Sequence, residues 1–322
     1  MKNIYSNIYK PNSINLKKAK KKIENNDIIG IPTETVYGLA ANAYSSKAVK
    51  KIFKLKKRPS LNPTIIHYKN LKDLYKDVII NNNFIKLYRA YCPGPITFIL
   101  KKKQQSHISK NATAGQKTVA VRFPKHKVAR NLLKILKVPL AAPSANISSR
   151  LSPTSAEDVV DEFKKKIKFI LNGGQCKIGL ESTIVDLTNK PCILRQGIIT
   201  KNQIYKTLSK KVSINKKPKL IKAPGQLKSH YSPGIPIKIN TKVSKKNEAI
   251  IGFGKKFKIK KNHFNLSKNN NLKEAANNLY KTLRKIKNSG YKSIIVNKIP
   301  SVGVGAAIND RLKRASNKWQ LK

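Results

Sequence analysis

Short apolar runs alternate with helical patterns along the first two thirds of the chain, and this alternation limits the folds open to it. Apolar runs that predict strands lie at residues 28–31, 64–68, 96–100, 118–123, 169–171 and 182–187. Helical patterns lie between them at 47–56, 125–137 and 155–165. In the first of these, Ala48, Ile52 and Leu55 fall on one helix face. Strands that alternate with helices are typical of an α/β domain.

The 322 residues exceed the usual size of one domain, so two domains are expected. Residues 210–233 are rich in Lys, Pro and Gly, which indicates a linker. Beyond it, strands are predicted at 250–253 and 293–297, and helices at 272–287 and 306–315. The chain is therefore divided into a domain at 1–209, a linker at 210–233 and a second domain at 234–322.

Two polar loops rich in Gly, Ser and Thr lie between apolar runs. They read IPTETVYGLAANA at 31–43 and PSANISSRLSPT at 143–154. Small hydroxyl residues and glycine let a ligand approach the backbone closely and meet N–H and O–H donors. The two loops together predict a ligand site.

Several familiar kinds of site are not indicated. The chain has no GxxxxGK[ST] phosphate loop, and GFGKK at 252–256 lacks its spacing and its terminal hydroxyl. Cys92, Cys176 and Cys192 are widely spaced and odd in number, which supports neither a disulfide framework nor a structural zinc site. No two acidic residues have the spacing of an acid/base pair.

The formal net charge of +55 ordinarily points to nucleic acid, because clustered cations release the counterions of phosphates. The excess is mostly Lys and accompanies abundant Asn and Ile, a pattern that AT-rich codon usage also produces. The charge is therefore compatible with compositional drift and with weak tRNA binding. The N-terminus has no apolar segment of the signal-peptide kind, and no long apolar stretch predicts a membrane helix. A cytoplasmic protein without membrane contact is expected.

Nine blocks of the sequence resemble the Sua5/YrdC/YciO family, in the order the family has them. They are GIPTETVYGLA, KLKKRPSLNP, YCPGPITFIL, VAVRFP, PLAAPSANISSRLSPT, GLESTIVDL, ILRQGIIT, APGQLKSHYSP and AINDRLKRAS. The resemblance covers nearly the whole chain and is to the two-domain Sua5 type. It implies an α/β fold in which a YrdC-like twisted open sheet is followed by a linker and a small Rossmann-like Sua5 domain.

The resemblance implies a nucleotidyltransferase that makes threonylcarbamoyl-AMP and pyrophosphate from L-threonine, bicarbonate or CO2, and ATP, with Mg²⁺. The product would pass to a tRNA threonylcarbamoyl transferase, which forms threonylcarbamoyladenosine at position 37 of tRNAs reading ANN codons. Because the nucleophile belongs to the substrate, such an enzyme mainly positions its partners and stabilises phosphoryl transfer electrostatically.

Site residues are implied wherever this chain matches the motifs of the family. The catalytic tetrad KxR with SxN corresponds to Lys56, Arg58, Ser144 and Asn146. The nucleotide would contact Arg58, Asn62, Thr118, Ser144, Ser152, Arg195 and Tyr231. L-threonine would contact Thr35, His67, Arg122, Ala142 and Ser182, with Arg122 paired to its carboxylate.

Some of these expectations have alternatives. Tyr231 belongs to a linker that folds over the active site in the family, although a solvated spacer is the simpler interpretation. His67 could instead be a hydrogen-bonded strand terminus. Glu181 could reach Mg²⁺ or only brace its loop. Gln196 and Gln226 replace a proline and a methionine that are usual in the family, and neither has an assigned role.

Other functions remain as alternatives to the synthase. One is an RNA-binding YrdC/YciO-like protein without synthase activity, although the chain lacks RNP-type aromatic residues and a KH GxxG loop. Another is the carbamoylating type that matures hydrogenases, whose zinc-binding Cys motifs and acylphosphatase domain are absent here.

Overall fold

The computed structural model describes residues 4–215, 220–227, 229–239, 247–258 and 260–317. The predicted linker at 210–233 includes 216–219 and 228, which lie outside the described residues. The same holds for 1–3 of the predicted first domain, and for 240–246, 259 and 318–322 of the predicted second domain.

A large mixed sheet dominates the first domain. Its described strands are β1 Ile8–Tyr9, β2 Ile29–Ile31, β3 Gly38–Asn42, β4 Ile65–His67, β5 Val78–Ile79, β6 Ile96–Lys102, β7 Thr118–Arg122, β8 Leu140–Ala141, β9 Ile170–Leu171, β10 Thr183–Asp186, β11 Cys192–Arg195 and β12 Ser213–Ile214. Their order across the sheet is β1-β9-β2-β3-β8-β4-β7-β6-β10-β11-β12, and β5 pairs with β6.

Helices flank this sheet. They are α1 Ser13–Glu24, α2 Ser46–Lys56, α3 Leu71–Leu74, α4 Asn82–Tyr91, α5 Lys110–Thr113, α6 Lys127–Ile135, α7 Ala156–Phe163 and α8 Lys201–Leu208, with a 3₁₀ turn at Lys164–Lys166. Polar residues start them, because a side-chain oxygen can accept from the free N–H groups of a first turn. Ser155 and Thr200 each form a reciprocal capping box at the start of α7 and α8.

The two faces of the central strands meet different partners, since successive side chains of a strand point to opposite faces. On one face, Ile66, Phe98 and Val121 belong to an apolar core that also contains residues of α4 and α8. On the other face, Ile65 and Ala120 belong to a small cluster with Ala223 of the linker. The described part of the linker therefore lies over the second face.

The second domain has a four-stranded parallel sheet in the order β13-β16-β14-β15. Its elements are β13 Ile237–Ile239, β14 Glu248–Gly252, β15 His263–Asn265, α9 Leu272–Asn288, β16 Ser293–Val296 and α10 Gly305–Ser316. Its apolar core also contains Val36, Leu151 and Leu180 of the first domain and Tyr231 of the linker. The two domains thus share a continuous core.

The predicted α/β fold class is confirmed, with a large twisted sheet followed by a small parallel α/β domain. Each strand and helix predicted above has a counterpart that differs only at its ends. The domain division stays a prediction, and β12, which pairs with β11, lies beyond residue 209. Within the described ranges, no helix is long and apolar enough to cross a membrane.

Candidate functional site

Helix α2 presents Lys56 and Arg58 at its carboxyl end. Ser45 caps the start of the helix through a hydrogen bond from the Ala48 N–H, at 3.2 Å. The helix ends where Lys57 adopts a left-handed conformation, with φ of 49°. This turn redirects the chain, and both Lys56 and Arg58 are buried.

Lys56 holds the second polar loop. Its ammonium Nζ donates to the carbonyl oxygens of Ser144, at 2.6 Å, and Asn146, at 2.5 Å. The Asn146 amide in turn donates to the carbonyls of Ile147 and Arg150, both at 2.9 Å. A lysine ammonium has three donors, so one remains for another acceptor. Direct hydrogen bonds therefore join Lys56, Ser144 and Asn146. Arg58, the fourth residue of the KxR and SxN motifs, is not part of this group.

Arg58 folds back onto the segment that follows it. Its Nε donates to the Asn62 carbonyl at 2.8 Å, and its Nη2 donates to the Asn62 Oδ1 and the Pro63 carbonyl, both at 2.7 Å. These bonds fix the plane of the guanidinium. Arg58 and Asn62, both implied as nucleotide residues, are thus in contact.

Arg195 is the last residue of β11 and lies beside Ser182, which precedes the neighbouring strand β10. Its Nε donates to the Ser182 carbonyl and its Nη2 to the Ser182 Oγ, both at 3.1 Å. Its Nη1 donates to the carbonyl of Pro224 in the linker at 3.2 Å. The Ser182 hydroxyl also lies 2.7 Å from the Thr97 hydroxyl. Arg195 therefore joins Ser182, one of the residues implied to contact L-threonine, to the linker.

Lys56, Arg58 and Arg195 form a cluster of buried positive charge. Burial and then the charge of Arg58 lower the pKa of Lys56, and burial and then the charge of Arg195 lower the pKa of Arg58. Within the described part of the chain, none of the three forms an ion pair with a carboxylate. Buried charge is costly unless it is paired. The cluster is therefore suited to binding an anion.

Arg122, the last residue of β7, has a carboxylate partner that the sequence did not reveal. Its Nη2 donates to Glu34 Oε1 at 2.6 Å, and both side chains are buried. The other carboxylate oxygen of Glu34 accepts from the N–H groups of Lys125 and His126, at 3.0 and 3.3 Å. Burial alone would raise the pKa of Glu34, but the charge and hydrogen bond of Arg122 hold it lower.

His67 ends β4 and is paired with Arg122 in the register of β4 and β7. Burial and then the charge of Arg122 lower the pKa of His67, so its ring is neutral near pH 7. Among the described residues, His67 Nδ1 and Arg122 Nε have no hydrogen-bond partner although both are buried. Two unpaired polar atoms on neighbouring strands indicate a place where a polar ligand would be bound.

A cavity of about 30 Å³ lies over this face of the sheet. The residues around it come from both polar loops, from β4, β7 and β11, from the segment before β10, and from the linker. They are Thr33, Val36, Tyr37, Gly38, Ile65, His67, Arg122, Ala142, Pro143, Ser144, Glu181, Arg195 and Pro224. The Thr35 hydroxyl lies 2.8 Å from the hydroxyl of Thr33. A cavity of this size holds about two waters, so it is smaller than a nucleotide.

Glu181 lies between the two domains with its carboxylate fully engaged. It accepts from Ser152 Oγ at 2.6 Å, from Tyr280 OH at 3.1 Å and from Arg311 Nε at 2.9 Å. Burial alone would raise the pKa of Glu181, but Arg311, Arg195 and the hydrogen bond from Ser152 lower it to about 2. The carboxylate is therefore ionised and already bound by protein groups.

Tyr231 of the linker packs in the apolar core that the two domains share. This residue is 1% exposed and has a left-handed backbone, with φ of 64°. Its ring is 4.1 Å from that of His230 and 6.0 Å from that of Tyr280. Within the described residues, the buried Tyr231 hydroxyl has no hydrogen-bond partner. The described part of the linker is therefore not a solvated spacer.

Thr118 lies at the opposite end of β7 from Arg122. The Thr118 hydroxyl donates to Gln116 at 3.4 Å. The Gln116 amide donates to the Ile221 carbonyl at 2.7 Å, which joins this end of β7 to the linker. Five of the implied site residues line the cavity described above, namely His67, Arg122, Ala142, Ser144 and Arg195, and Thr118 is not among them.

No group of three or more His, Cys, Asp or Glu side chains within the described ranges could hold a metal ion. The arrangement offers cations, hydroxyls and backbone groups, which suit a phosphate and a carboxylate.

Two family models match the chain. Residues 21–197 match the Sua5, YciO and YrdC family, which is described as "Telomere recombination". Residues 199–317 match the "Threonylcarbamoyl-AMP synthase, C-terminal domain". Between them the models cover both domains.

Relatives of known name are similar over nearly their whole length. The threonylcarbamoyl-AMP synthase of Pyrococcus abyssi is 36% identical over 318 residues, which cover 91% of this chain and 92% of that protein. The threonylcarbamoyl-AMP synthase of Bacillus subtilis is 33% identical, with 95% and 94% covered. The crystal structure of Pyrococcus abyssi Sua5 complexed with L-threonine matches with a TM-score of 0.88 at 33% identity, over 96% of this chain and 97% of that one.

Proposed function

The chain belongs to the Sua5/YciO/YrdC family, and on that premise we propose that it is an L-threonylcarbamoyladenylate synthase. It joins L-threonine, bicarbonate or CO2, and ATP, and it releases pyrophosphate. The threonylcarbamoyl-AMP then passes to a transferase that modifies tRNA. The observation that supports this most directly is the cluster of Lys56, Arg58 and Arg195, which are buried without a carboxylate partner among the described residues.

The positive cluster supports a role in binding the phosphates of ATP. Arg58 and Arg195 are fixed by carbonyl oxygens, so their guanidinium planes are oriented before a ligand arrives. Preorganised donors stabilise charge that develops in a transition state without reorganising during the reaction. Mg²⁺ would arrive with the nucleotide and neutralise part of the phosphate charge.

The contacts of Arg122 support a threonine site beside this cluster. Glu34 occupies Nη2 of Arg122, while Nε of the same guanidinium is buried and unpaired among the described residues. The threonine carboxylate would take the free edge of Arg122, and Thr35, His67 and Ser182 would meet its polar groups. Ala142, which lines the cavity, leaves room for the methyl group.

The reaction needs no protein nucleophile. The threonine amine attacks the carbon of CO2 and releases a proton as the carbamate forms. With bicarbonate, the amine proton instead leaves in the water molecule that is lost. A carbamate oxygen then attacks the α-phosphorus of ATP, the bond to the bridging oxygen breaks, and pyrophosphate leaves. The enzyme supplies positioning and positive charge, as Lys56, Arg58, Ser144 and Asn146 would do. The contacts of Glu181 support its role as a brace rather than as a magnesium ligand.

The purified protein tests this proposal directly. With ATP, Mg²⁺, L-threonine and labelled bicarbonate it should release pyrophosphate and form a labelled threonyl adenylate, and L-serine should give far less product. Replacing Arg58 by alanine should lower turnover by about 100-fold or more, since removal of one preorganised donor has that effect. A folded protein that binds ATP but forms no product would contradict the proposal and favour the RNA-binding alternative.

A further inference from the structure

We propose that Arg311, on helix α10 of the second domain, is a positioning residue for the nucleotide side of the site. It would hold Tyr231 of the linker and Glu181 of the first domain in their closed arrangement. The inference rests on the proposed synthase function. It also gives a role to the AINDRLKRAS block, to which the sequence assigned none.

Arg311 is 1% exposed and uses each part of its guanidinium. Nε donates to Glu181 Oε2 at 2.9 Å, Nη2 to the Gln196 carbonyl at 2.8 Å, and Nη1 to Asp310 Oδ2 at 2.8 Å. Its central carbon lies 5.1 Å from the centre of the Tyr231 ring, within the distance of a cation–π contact. One side chain therefore contacts the first domain and the linker at once.

The contacts of Arg311 fall on or next to residues that the nucleotide would use. Tyr231 is one of them, and Gln196 directly follows Arg195. Glu181 accepts a hydrogen bond from Ser152. An ion pair between Arg311 and Glu181 would be enough to join the two domains. Arg311 also contacts Gln196 and Tyr231, so it meets three separate segments of the proposed nucleotide site.

Helix α10 also holds the backbone of the linker close to Tyr231. Arg314 Nη1 donates to the Leu227 carbonyl at 2.7 Å, and the His230 N–H donates to the Arg314 carbonyl at 3.2 Å. Asp310 accepts from both Arg311 and Arg314. The helix thus fixes the linker backbone, and Arg311 fixes the ring that the linker carries.

A buried ion pair is not needed for stability alone. Replacing such a pair by apolar residues is often neutral or stabilising, because desolvation cancels the attraction. A rigid fork that meets a carboxylate, a carbonyl and an aromatic face can be supplied by Arg but not by the single ammonium of Lys. The conservative change Arg311→Lys therefore keeps the charge and removes the geometry.

The test measures KM and kcat for both substrates in Arg311→Lys, with Lys313→Ala as the control because Lys313 is exposed on the same helix. Arg311→Lys should raise the KM for ATP about tenfold, as expected for losing one or two hydrogen bonds to charged groups. The KM for threonine should change less than about twofold, and Lys313→Ala should behave as the wild type. An unchanged KM for ATP in a folded Arg311→Lys variant would overturn the inference.

A double-mutant cycle separates positioning from a general loss of structure. In a Tyr231→Ala background, Arg311→Lys should raise the KM for ATP less than about threefold, because the ring it positions is gone. The full tenfold effect in that background would contradict the inference. If Arg311→Lys does not fold, Asp310→Asn is used instead, because it removes a charged partner of the same guanidinium. It is measured in the wild type and in Tyr231→Ala, and the same changes in the KM for ATP support or contradict the inference. A wild-type protein that makes no product would instead contradict the proposed function itself.

Discussion

The ion pair between Arg122 and Glu34 fixes the direction of the guanidinium that would meet the threonine carboxylate. The carboxylate of Glu34 is itself fixed by two backbone N–H groups. Glu34 therefore acts on the ligand only through Arg122.

Replacing Glu34 by glutamine should weaken threonine binding selectively. The neutral amide loses a charge-assisted hydrogen bond, which is worth about 1.5–3 kcal/mol, so we expect the KM for threonine to rise roughly 10- to 100-fold. The KM for ATP should remain within about twofold, since Arg122 lies on the threonine side. Steady-state release of pyrophosphate measures both, with the exposed Glu24→Gln as the control. A parallel rise of both KM values would show that Glu34 supports the fold rather than Arg122.

The residues that the sequence identified and those it missed differ in a physical way. Thr35, Arg122 and Arg195 stand in motifs, so their residue type and place could be predicted. Glu34 stands in the same PTET motif, but its partner is 88 positions away, and such a pairing depends on the tertiary fold. The use of two Lys56 donors on the Ser144 and Asn146 carbonyls could not be predicted either, because backbone groups leave no signal in the sequence.

At the scale of elements, one position of the linker accepts only glycine. Gly225 has φ of +85°, and a Cβ there would lie 2.6 Å from the Tyr231 hydroxyl and 2.8 Å from Arg195 Cδ. Gly234, directly after the linker, has φ of +96°, and the nearest neighbour of a Cβ there would be Lys287 Nζ at 3.5 Å. The two positions share the backbone strain, and only the first has the steric clash.

Gly225→Ala should therefore raise the KM for ATP more than Gly234→Ala does. We expect a rise of about tenfold or more in the first variant, because the clash displaces Tyr231 or Arg195, and overpacking of this kind costs about 1–3 kcal/mol. A non-glycine residue at positive φ costs about 1 kcal/mol of stability in each variant, and Gly225→Ala should lose about 1–3 kcal/mol more from the clash. Kinetics and thermal unfolding of the two variants side by side measure the difference. Equal kinetic effects would mean that the closed linker does not contribute to ATP binding.

Elements with runs of large apolar residues could be predicted from the sequence, and strands built of small residues could not. β6 and α9 were predicted with their positions nearly right because their apolar patterns extend over several residues. β3 and β8 were missed, because small residues such as Gly38 and Ala141 lack the β-branched side chains that mark a strand. Their place in the sheet is set by their neighbours.

At the scale of the molecule, the pKa of Glu181 links folding to pH. Because Arg311, Arg195 and Ser152 stabilise the ionised carboxylate, its pKa is about 2 in the folded protein and 4.5 as a reference value for the unfolded chain. Relative to a protonated carboxyl, the ionised form stabilises the fold above pH 4.5, and this stabilisation is lost as the pH falls towards 2.

Urea unfolding of the wild type and of Glu181→Gln should show this. The variant should be less stable at pH 6, because Arg311 loses its charged partner in a buried site. The difference between the two proteins should shrink as the pH falls from 4.5 towards 2, where the wild-type carboxylate also becomes protonated. Glu24→Gln, at an exposed position, should stay close to the wild type throughout. A difference that stays constant across this range would contradict the role of the ionised carboxylate.

The contacts of Glu181 also set an order of events during synthesis of the protein. Tyr280 and Arg311 lie 99 and 130 positions after Glu181, and domains generally fold as units as they leave the ribosome. The large sheet can therefore form while Glu181 still lacks both partners. We expect the nascent first domain to fold before it is catalytically active. Adenylation should begin only after α10 has left the ribosome and packed against the first domain.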